Sequence, residues 1–196
     1  MSFVFTLSRF SRRQLGATLC SSLLLLSAPA FATQAVIKTN LGEMTFELHD
    51  QQTPATIANF VQLAKNGWYQ GKTFYRVVPG HVAQAGINDD NHPDMKTYQV
   101  KAEFSDQLPQ MKGSLALARG EDPNSGSTEF YICLERRAHL DGKYTNFGQL
   151  IAGEAVLDKI AAVQTEEKWI ENPGGKPIAF HQPKTSIVIE KITILP

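Results

Sequence analysis

In the stretch FYRVVPGHVAQAG (residues 74–86) an arginine, Arg76, lies inside an apolar run, and Gln84 follows eight residues later across a Pro79-Gly80 turn. Two short strands joined by that turn put both side chains on one face, the guanidinium as a fixed cation and the amide as donor and acceptor. On pattern alone the same arginine also reads as a solvated or paired charge on a sheet surface. Other chemistries have less to stand on. The chain has no glycine-rich phosphate loop, no H-E-x-x-H pair and no G-x-S-x-G elbow. Cys133 falls within the apolar run FYICL (130–134), which suits a buried small residue better than a reactive thiol. The stretch NDDNHPD (88–94) is rich in cation ligands, but it departs from EF-hand spacing and lacks the terminal glutamate, so a solvated loop is the better reading.

Alternation and turn residues define the elements that must carry these groups. Runs 35–39 and 43–49, joined by Asn40-Leu41-Gly42, form a hairpin with Met44, Phe46 and Leu48 on one face and Glu43, Thr45 and Glu47 on the other. A helix follows: Thr53 caps it, Pro54 opens its first turn, Ile57, Phe60, Val61 and Ala64 recur at helical spacing, and Gly67 ends it. Further strand-like runs span 73–78, 82–86, 98–102, 114–118, 130–134 and 146–150, and a second helix spans 154–163. In the last strand, 186–195, the apolar parity switches between Ile187, Ile189 and Ile192, Ile194, which predicts a bulge near Glu190 and Lys191. The stretch 166–184, with Pro173, Pro177, Pro183 and paired glycines, reads as a long surface connection. About eight strands, two helices and no regular strand-helix alternation argue for a mainly β fold, a closed antiparallel barrel and not a doubly wound sheet.

The ends and the composition set the context. With 196 residues, 42% hydrophobic and 19% charged in an even mixture, the chain reads as one globular domain, 33–196, behind a removable segment, 1–32. That segment has Arg9, Arg12 and Arg13, then a mostly apolar run 15–26, then Ala30-Phe31-Ala32 as a cleavage site, the pattern of an export signal leading to the periplasm. The apolar run is short of the roughly 20 residues that a spanning helix needs, so no membrane attachment is expected after cleavage. Ser11-Arg12-Arg13-Gln14-Leu15 also resembles a twin-arginine signal, and both export routes stay open. Cleavage removes three arginines and no acid from 19 basic and 19 acidic residues, leaving a formal charge of minus three, which does not favour nucleic acid. Cys20 leaves with the segment, so no internal disulfide is possible.

Four stretches, F-x-R-V-V-P-G-x-x-x-Q (74–84), S-x-A-x-A (114–118), S-T-E-F-Y-I (127–132) and L-D-G-K-Y-T-N-F-G (140–148), occur in an order and spacing that resemble the cyclophilin family of peptidyl-prolyl cis-trans isomerases, particularly its exported bacterial branch. The resemblance covers nearly all of the chain after residue 32. It implies a closed eight-stranded antiparallel barrel capped by two α-helices, a groove on its outer wall, and acceleration of Xaa-Pro bond rotation during folding of exported proteins. No cofactor or metal is expected, because rotation breaks no covalent bond. The expected partners are Xaa-Pro segments of unfolded or exported proteins, and the expected state is a monomer.

The same resemblance makes Arg76 the catalytic arginine and Gln84 the residue that contacts the substrate backbone. Tyr131 matches a pocket floor that is usually phenylalanine, and Leu140 matches a pocket leucine. Val82 replaces a common methionine, Ala118 matches a backbone-contacting alanine, Arg119 replaces an asparagine, and Tyr144 stands where eukaryotic members have histidine. Three departures carry more weight: His81 replaces a pocket phenylalanine, Glu129 a glutamine, and His139 a tryptophan or phenylalanine. The pocket becomes smaller and wetter at His81. Glu129 is expected to pair with Arg76 or Arg119 and hold it back from a peptide. The alternative function is therefore a prolyl-peptide-binding or chaperone-like module with reduced isomerase activity. His81 and His139 either tune binding through protonation near neutral pH or are merely tolerated. The spacing of His81, Glu129 and His139 supplies no local metal-ligand motif.

Overall fold

The computed structural model describes Met1 and residues 32–87, 97–170 and 178–196. The expected signal, apart from its two end residues, and the whole of 88–94 lie outside the described residues.

The opening hairpin forms as its alternation predicts, from β1 (Gln34–Thr39) and β2 (Gly42–Leu48), with Met44, Phe46 and Leu48 buried. Helix α1 (Pro54–Lys65) follows, then β3 (Arg76–Val78) and β4 (Val82–Ala85) across the Pro-Gly turn. Strands β5 (Ser114–Leu117), β6 (Phe130–Cys133) and β7 (Asn146–Ala152) precede helix α2 (Glu154–Ala161). A hairpin of β8 (Thr165–Ile170) and β9 (Ile178–Pro183) leads to the last strand, β10 (Ile189–Leu195).

Among the described residues, eight strands make one antiparallel sheet in the order β10-β1-β2-β7-β5-β6-β4-β3, and two helices accompany it, as the pattern predicts. Closure is more economical than a full ladder. The segments leading into β3 and β10 meet through an isolated bridge between Thr73 and Val188, with Phe74 N donating to Ile187 O at 2.9 Å and Ile189 N to Lys72 O at 2.8 Å. The bulge is present: Lys38 opposes Lys191 while Thr39 opposes Ile189, so Glu190 is the extra residue that resets the parity of the buried isoleucines.

Inward side chains from the sheet meet the apolar stripe of α1. Phe60 lies 5.1 Å from Phe147, 5.3 Å from Tyr69 and 5.8 Å from Phe130 between ring centroids. Burying large aromatic rings supplies most of the driving force for such a core. The start of α1 departs from expectation. Thr53 occupies the N-cap position, but its hydroxyl donates to His49 O, and the free N–H groups of Ala55 and Thr56 donate instead to the Glu103 carboxylate at 3.0 and 2.9 Å. A negative group at a helix N-terminus serves the same end as a side-chain cap.

Two expectations for the chain's path are corrected. Residues 98–102 do not form a strand; only Val100 pairs, in a bridge with Gly126, because it alone of the run is buried while Tyr98 is 59% exposed. Within the expected surface connection 166–184, the described residues up to Ile170 and from Ile178 to Pro183 are strands. Six residue pairs, from Thr165 with Pro183 to Ile170 with Ile178, build the β8–β9 hairpin. Pro177 precedes β9 and Pro183 ends it, so neither removes a donor from the interior of the ladder.

Candidate active site

Strand register builds the site. Arg76 on β3 opposes Gln84 on β4, Gln84 opposes Tyr131 on β6, and Tyr131 opposes Ala116 on β5, a cross-strand row on the outer face of the sheet. Beside it, Val82 opposes Cys133. Because alternate residues face opposite sides, Val77, Ala83, Ile132 and Leu115 from the same strands enter the main core. The outward set forms a second, separate apolar cluster of Val82, Ala116, Tyr131 and Cys133, against which Ala118, Leu140 and Tyr144 pack. At the end of β4, Gly86 has φ +85°, and a Cβ there would stand 2.5 Å from Thr128 O, so only glycine lets β4 and the approach to β6 come this close.

Arg76 Nη1 donates to Gln84 Oε1 at 3.1 Å, and Gln84 Nε2 donates to Glu129 Oε2 at 2.8 Å. The Tyr75 hydroxyl donates to the same carboxylate oxygen. Burial pushes the Arg76 pKa down, against the opposing influence of Tyr75 and Tyr144, yet a guanidinium stays protonated at any ordinary pH. Burial, then Glu129, drives the Tyr75 phenol up. The expected pairing of Glu129 with an arginine is corrected, since among the described residues it makes no ion pair with Arg76 or Arg119. The Gln84 amide stands between carboxylate and guanidinium. Arg119 is engaged elsewhere: its guanidinium lies 4.6 Å from the Tyr144 ring centre and donates to the carbonyls of Lys143, Gly120 and Glu121.

These residues line a groove of about 440 Å³. Arg76, His81, Val82, Gln84, Ala118, Arg119, Tyr131, Leu140 and Tyr144, the residues that the family resemblance singles out, all border it. Glu129 lies one step aside, in an adjoining depression of about 540 Å³ that it shares with Gln84, Ala118 and Arg119. His139 does not line the groove. It is exposed on a short 3-10 turn, Ala138–Leu140, its ring centre 5.4 Å from that of His81. The His81 pKa is lowered, first by burial, then by Arg137, His139 and Arg76, and its Nδ1 is buried without a hydrogen-bond partner among the described residues. Under the groove, Cys133 is fully buried and burial pushes its thiol up to about 12, which fits a packing residue and not a nucleophile. No group of three His, Cys, Asp or Glu side chains suited to a metal comes together among the described residues.

Two lining residues escape the sequence reading, Tyr75 and Phe180. Strict alternation through 73–78 turns Tyr75 inward, but β3 starts only at Arg76, and Phe74 and Val77 are both buried. That spacing of three between inward residues breaks the parity and is the signal that was there to find. Phe180 comes from β9, far along the chain, and its ring stacks on Tyr75 at 5.7 Å and 15°. A fixed cation beside an apolar groove, without an adjacent nucleophile, suits a neutral chain carrying an apolar ring.

Comparison with known proteins leads to the same chemistry. Residues 34–193 match the family described as cyclophilin type peptidyl-prolyl cis-trans isomerase/CLD. The chain is 33% identical over 185 residues to peptidyl-prolyl cis-trans isomerase A of Dickeya dadantii, covering 89% of this chain and 97% of that one. It is 38% identical over 117 residues to a peptidyl-prolyl cis-trans isomerase of Synechococcus elongatus, covering 60% and 79% respectively. A Cryptosporidium parvum cyclophilin type peptidyl-prolyl cis-trans isomerase of known crystal structure superposes with a TM-score of 0.72 at 25% identity, over 85% of this chain and 99% of that one. With the match spanning nearly the whole barrel and its groove, the chain belongs to the cyclophilin-type peptidyl-prolyl cis-trans isomerases.

Proposed function

We propose that this isomerase acts on Xaa-Pro segments of exported proteins, with Arg76 as its electrostatic catalyst. Peptide resonance sets a barrier of about 18 to 20 kcal/mol to rotation. As the bond twists, conjugation is lost and the prolyl nitrogen becomes a hydrogen-bond acceptor. A guanidinium held beside that nitrogen binds the twisted state more tightly than the planar one, which is what lowers a barrier. Val82, Tyr131, Leu140 and Tyr144 hold the proline ring, Ala118 and Gln84 meet the backbone of the peptide, and Arg119 shapes the far rim through its carbonyl contacts.

The observation that carries this reading is the Arg76–Gln84 contact of 3.1 Å at the edge of the apolar cluster, which orients the guanidinium without neutralising it. The alternative, a peptide-binding module with reduced turnover, draws on His81, Glu129 and His139; of these, Glu129 holds the amide that positions Arg76 and pairs with neither arginine. Removing a single preorganised donor of this kind costs roughly 100- to 1,000-fold in turnover. Arg76→Ala is expected to lose that much in a protease-coupled prolyl peptide assay while keeping its far-UV circular dichroism. Undiminished turnover eliminates the assignment; wild-type protein that binds prolyl peptides without accelerating them favours the alternative.

Export is supported by the three arginines, the apolar run and the Ala30-Phe31-Ala32 site in residues 1–32. Protein recovered from the periplasm of cells expressing the whole chain is expected to begin near residue 33 by mass spectrometry. Recovery only from the cytoplasm with residues 1–32 intact would contradict it.

A further inference from the structure

The outer wall of the sheet supplies most of the groove but not all of it. Beyond β3 the wall is continued by the β8–β9 hairpin, which has its own two-stranded ladder and is not part of the eight-stranded sheet. From it Phe180 reaches the groove and lies almost parallel to Tyr75, ring centres 5.7 Å apart. Each ring is backed by the other. The Tyr75 hydroxyl is tied to Glu129, and Phe180 is paired across the hairpin with Lys168, whose ammonium donates to Gln182 Oε1 at 2.9 Å. Fixing aromatic surface in advance lowers the entropy that a ligand must surrender on binding. Trp169, the neighbour of Lys168, lies on the opposite face of the ribbon and is 66% exposed.

Resting on the reading of the groove as the prolyl peptide site, we propose that Phe180, backed by Tyr75, is a specificity-determining residue that packs on one of the two residues flanking the substrate proline and favours an aromatic or large apolar side chain there. The groove places it suitably. Val82, Tyr131 and Leu140 form the apolar surface on one side of Arg76, and the Tyr75–Phe180 pair forms a separate apolar surface beside β3. A chain whose proline lies on the first surface with its amide at Arg76 must run past the second. The hairpin thereby gives the groove an aromatic wall that the sheet itself lacks at His81.

The test is the kcat/KM of two panels of prolyl peptides, one varying the residue before proline and one the residue after it, each from alanine through leucine to phenylalanine. An aromatic contact of this kind is worth roughly three- to tenfold. Phe180→Ala is expected to lose that factor for phenylalanine at one flank only, with the alanine peptides changed by less than about twofold. Phe180→Leu is expected to lose most of the aromatic preference with apolar bulk retained, Phe180→Trp to restore it, and Trp169→Ala, on the other face of the same hairpin, to change nothing. A loss of equal size on every peptide, or none at all, overturns the role of Phe180. Arg76→Ala in parallel keeps the two readings apart: if it leaves all peptides untouched, the assignment of the groove itself fails.

Discussion

The inner and outer faces of β3, β4 and β6 come from the same few residues, yet they obey different rules. Inward, Phe130 meets Phe60, Tyr69 and Phe74 at centroid separations of 5.8, 5.4 and 6.0 Å, and the one phenol in the group, Tyr69, donates its hydroxyl to Thr128 O at 3.1 Å. Outward, two buried polar atoms find no partner among the described residues, the Tyr131 hydroxyl within the apolar cluster and His81 Nδ1 on the same groove. Buried polar atoms without partners cost stability, and natural proteins tolerate them mainly where function requires it. One face of each strand is thus selected for packing and the other for a site.

The sharpest way to break this comparison is to exchange the kind of damage each face suffers. Phe130→Ala removes an inner ring with aromatic neighbours on three sides, and a cavity of that kind costs about 3 to 5 kcal/mol. That is a large share of the roughly 5 to 15 kcal/mol that holds a domain together, so the urea midpoint is expected to fall steeply. Arg76→Ala, by contrast, forfeits one hydrogen bond at the surface, worth about 1 kcal/mol, while abolishing most turnover. Equal losses of stability in the two variants would mean that the outer face is a structural face after all.

How much of this was legible in the sequence follows the same division. Period-two alternation revealed the opening hairpin and the strands of the wall, and the switch of parity from Ile189 to Ile192 disclosed the Glu190 bulge, because burial on one face leaves a direct imprint. The shared face of Arg76 and Gln84 was readable for the same reason, whereas the other groove residues came only from the resemblance of the motifs to the cyclophilin family. Tyr75 was not readable, since the run 73–78 starts three residues before β3 and strict alternation does not hold over that lead-in. Phe180 was not, because prolines and glycines masked a hairpin in which Pro177 precedes β9 and Pro183 ends it. Nor was the partner of Glu129, which depends on a glutamine amide interposed at 2.8 Å. Residues 98–102 erred in the other direction, since one buried valine and one bridge do not make a strand.

A smaller effect with opposite signs on the two faces sharpens the contrast. Tyr69→Phe deletes a hydroxyl that is bonded, and is expected to cost about 1 kcal/mol. Tyr131→Phe deletes one that is buried with no partner among the described residues, and is expected to add about 1 kcal/mol. Burial drives both phenols well above the usual range, so neither ionises and the comparison isolates hydrogen bonding. Thermal unfolding of the two variants beside the parent is the measurement; a loss in both would mean that the Tyr131 hydroxyl has a partner.

The smallest effect concerns His81, where the outer face responds to pH. Its pKa lies below the ordinary 6.5, chiefly through burial and then through Arg137, His139 and Arg76, so the folded protein prefers the neutral ring more strongly than the unfolded chain does. The unfolded state therefore binds the proton first, and stability that is complete above pH 6.5 drains away as the pH falls through the folded value. His49, lowered by burial, adds a change of the same sign from elsewhere in the domain. Because His81 is partly open to solvent, screening keeps its share small. His81→Phe should flatten part of the stability profile between about pH 7 and 5, leaving the slope due to His49. The phenylalanine also presents an apolar wall to the groove in place of an imidazole with a buried, unpartnered nitrogen, so kcat/KM toward prolyl peptides should rise in the same variant. An unchanged profile together with unchanged turnover would place His81 outside both the energetics and the work of the outer face.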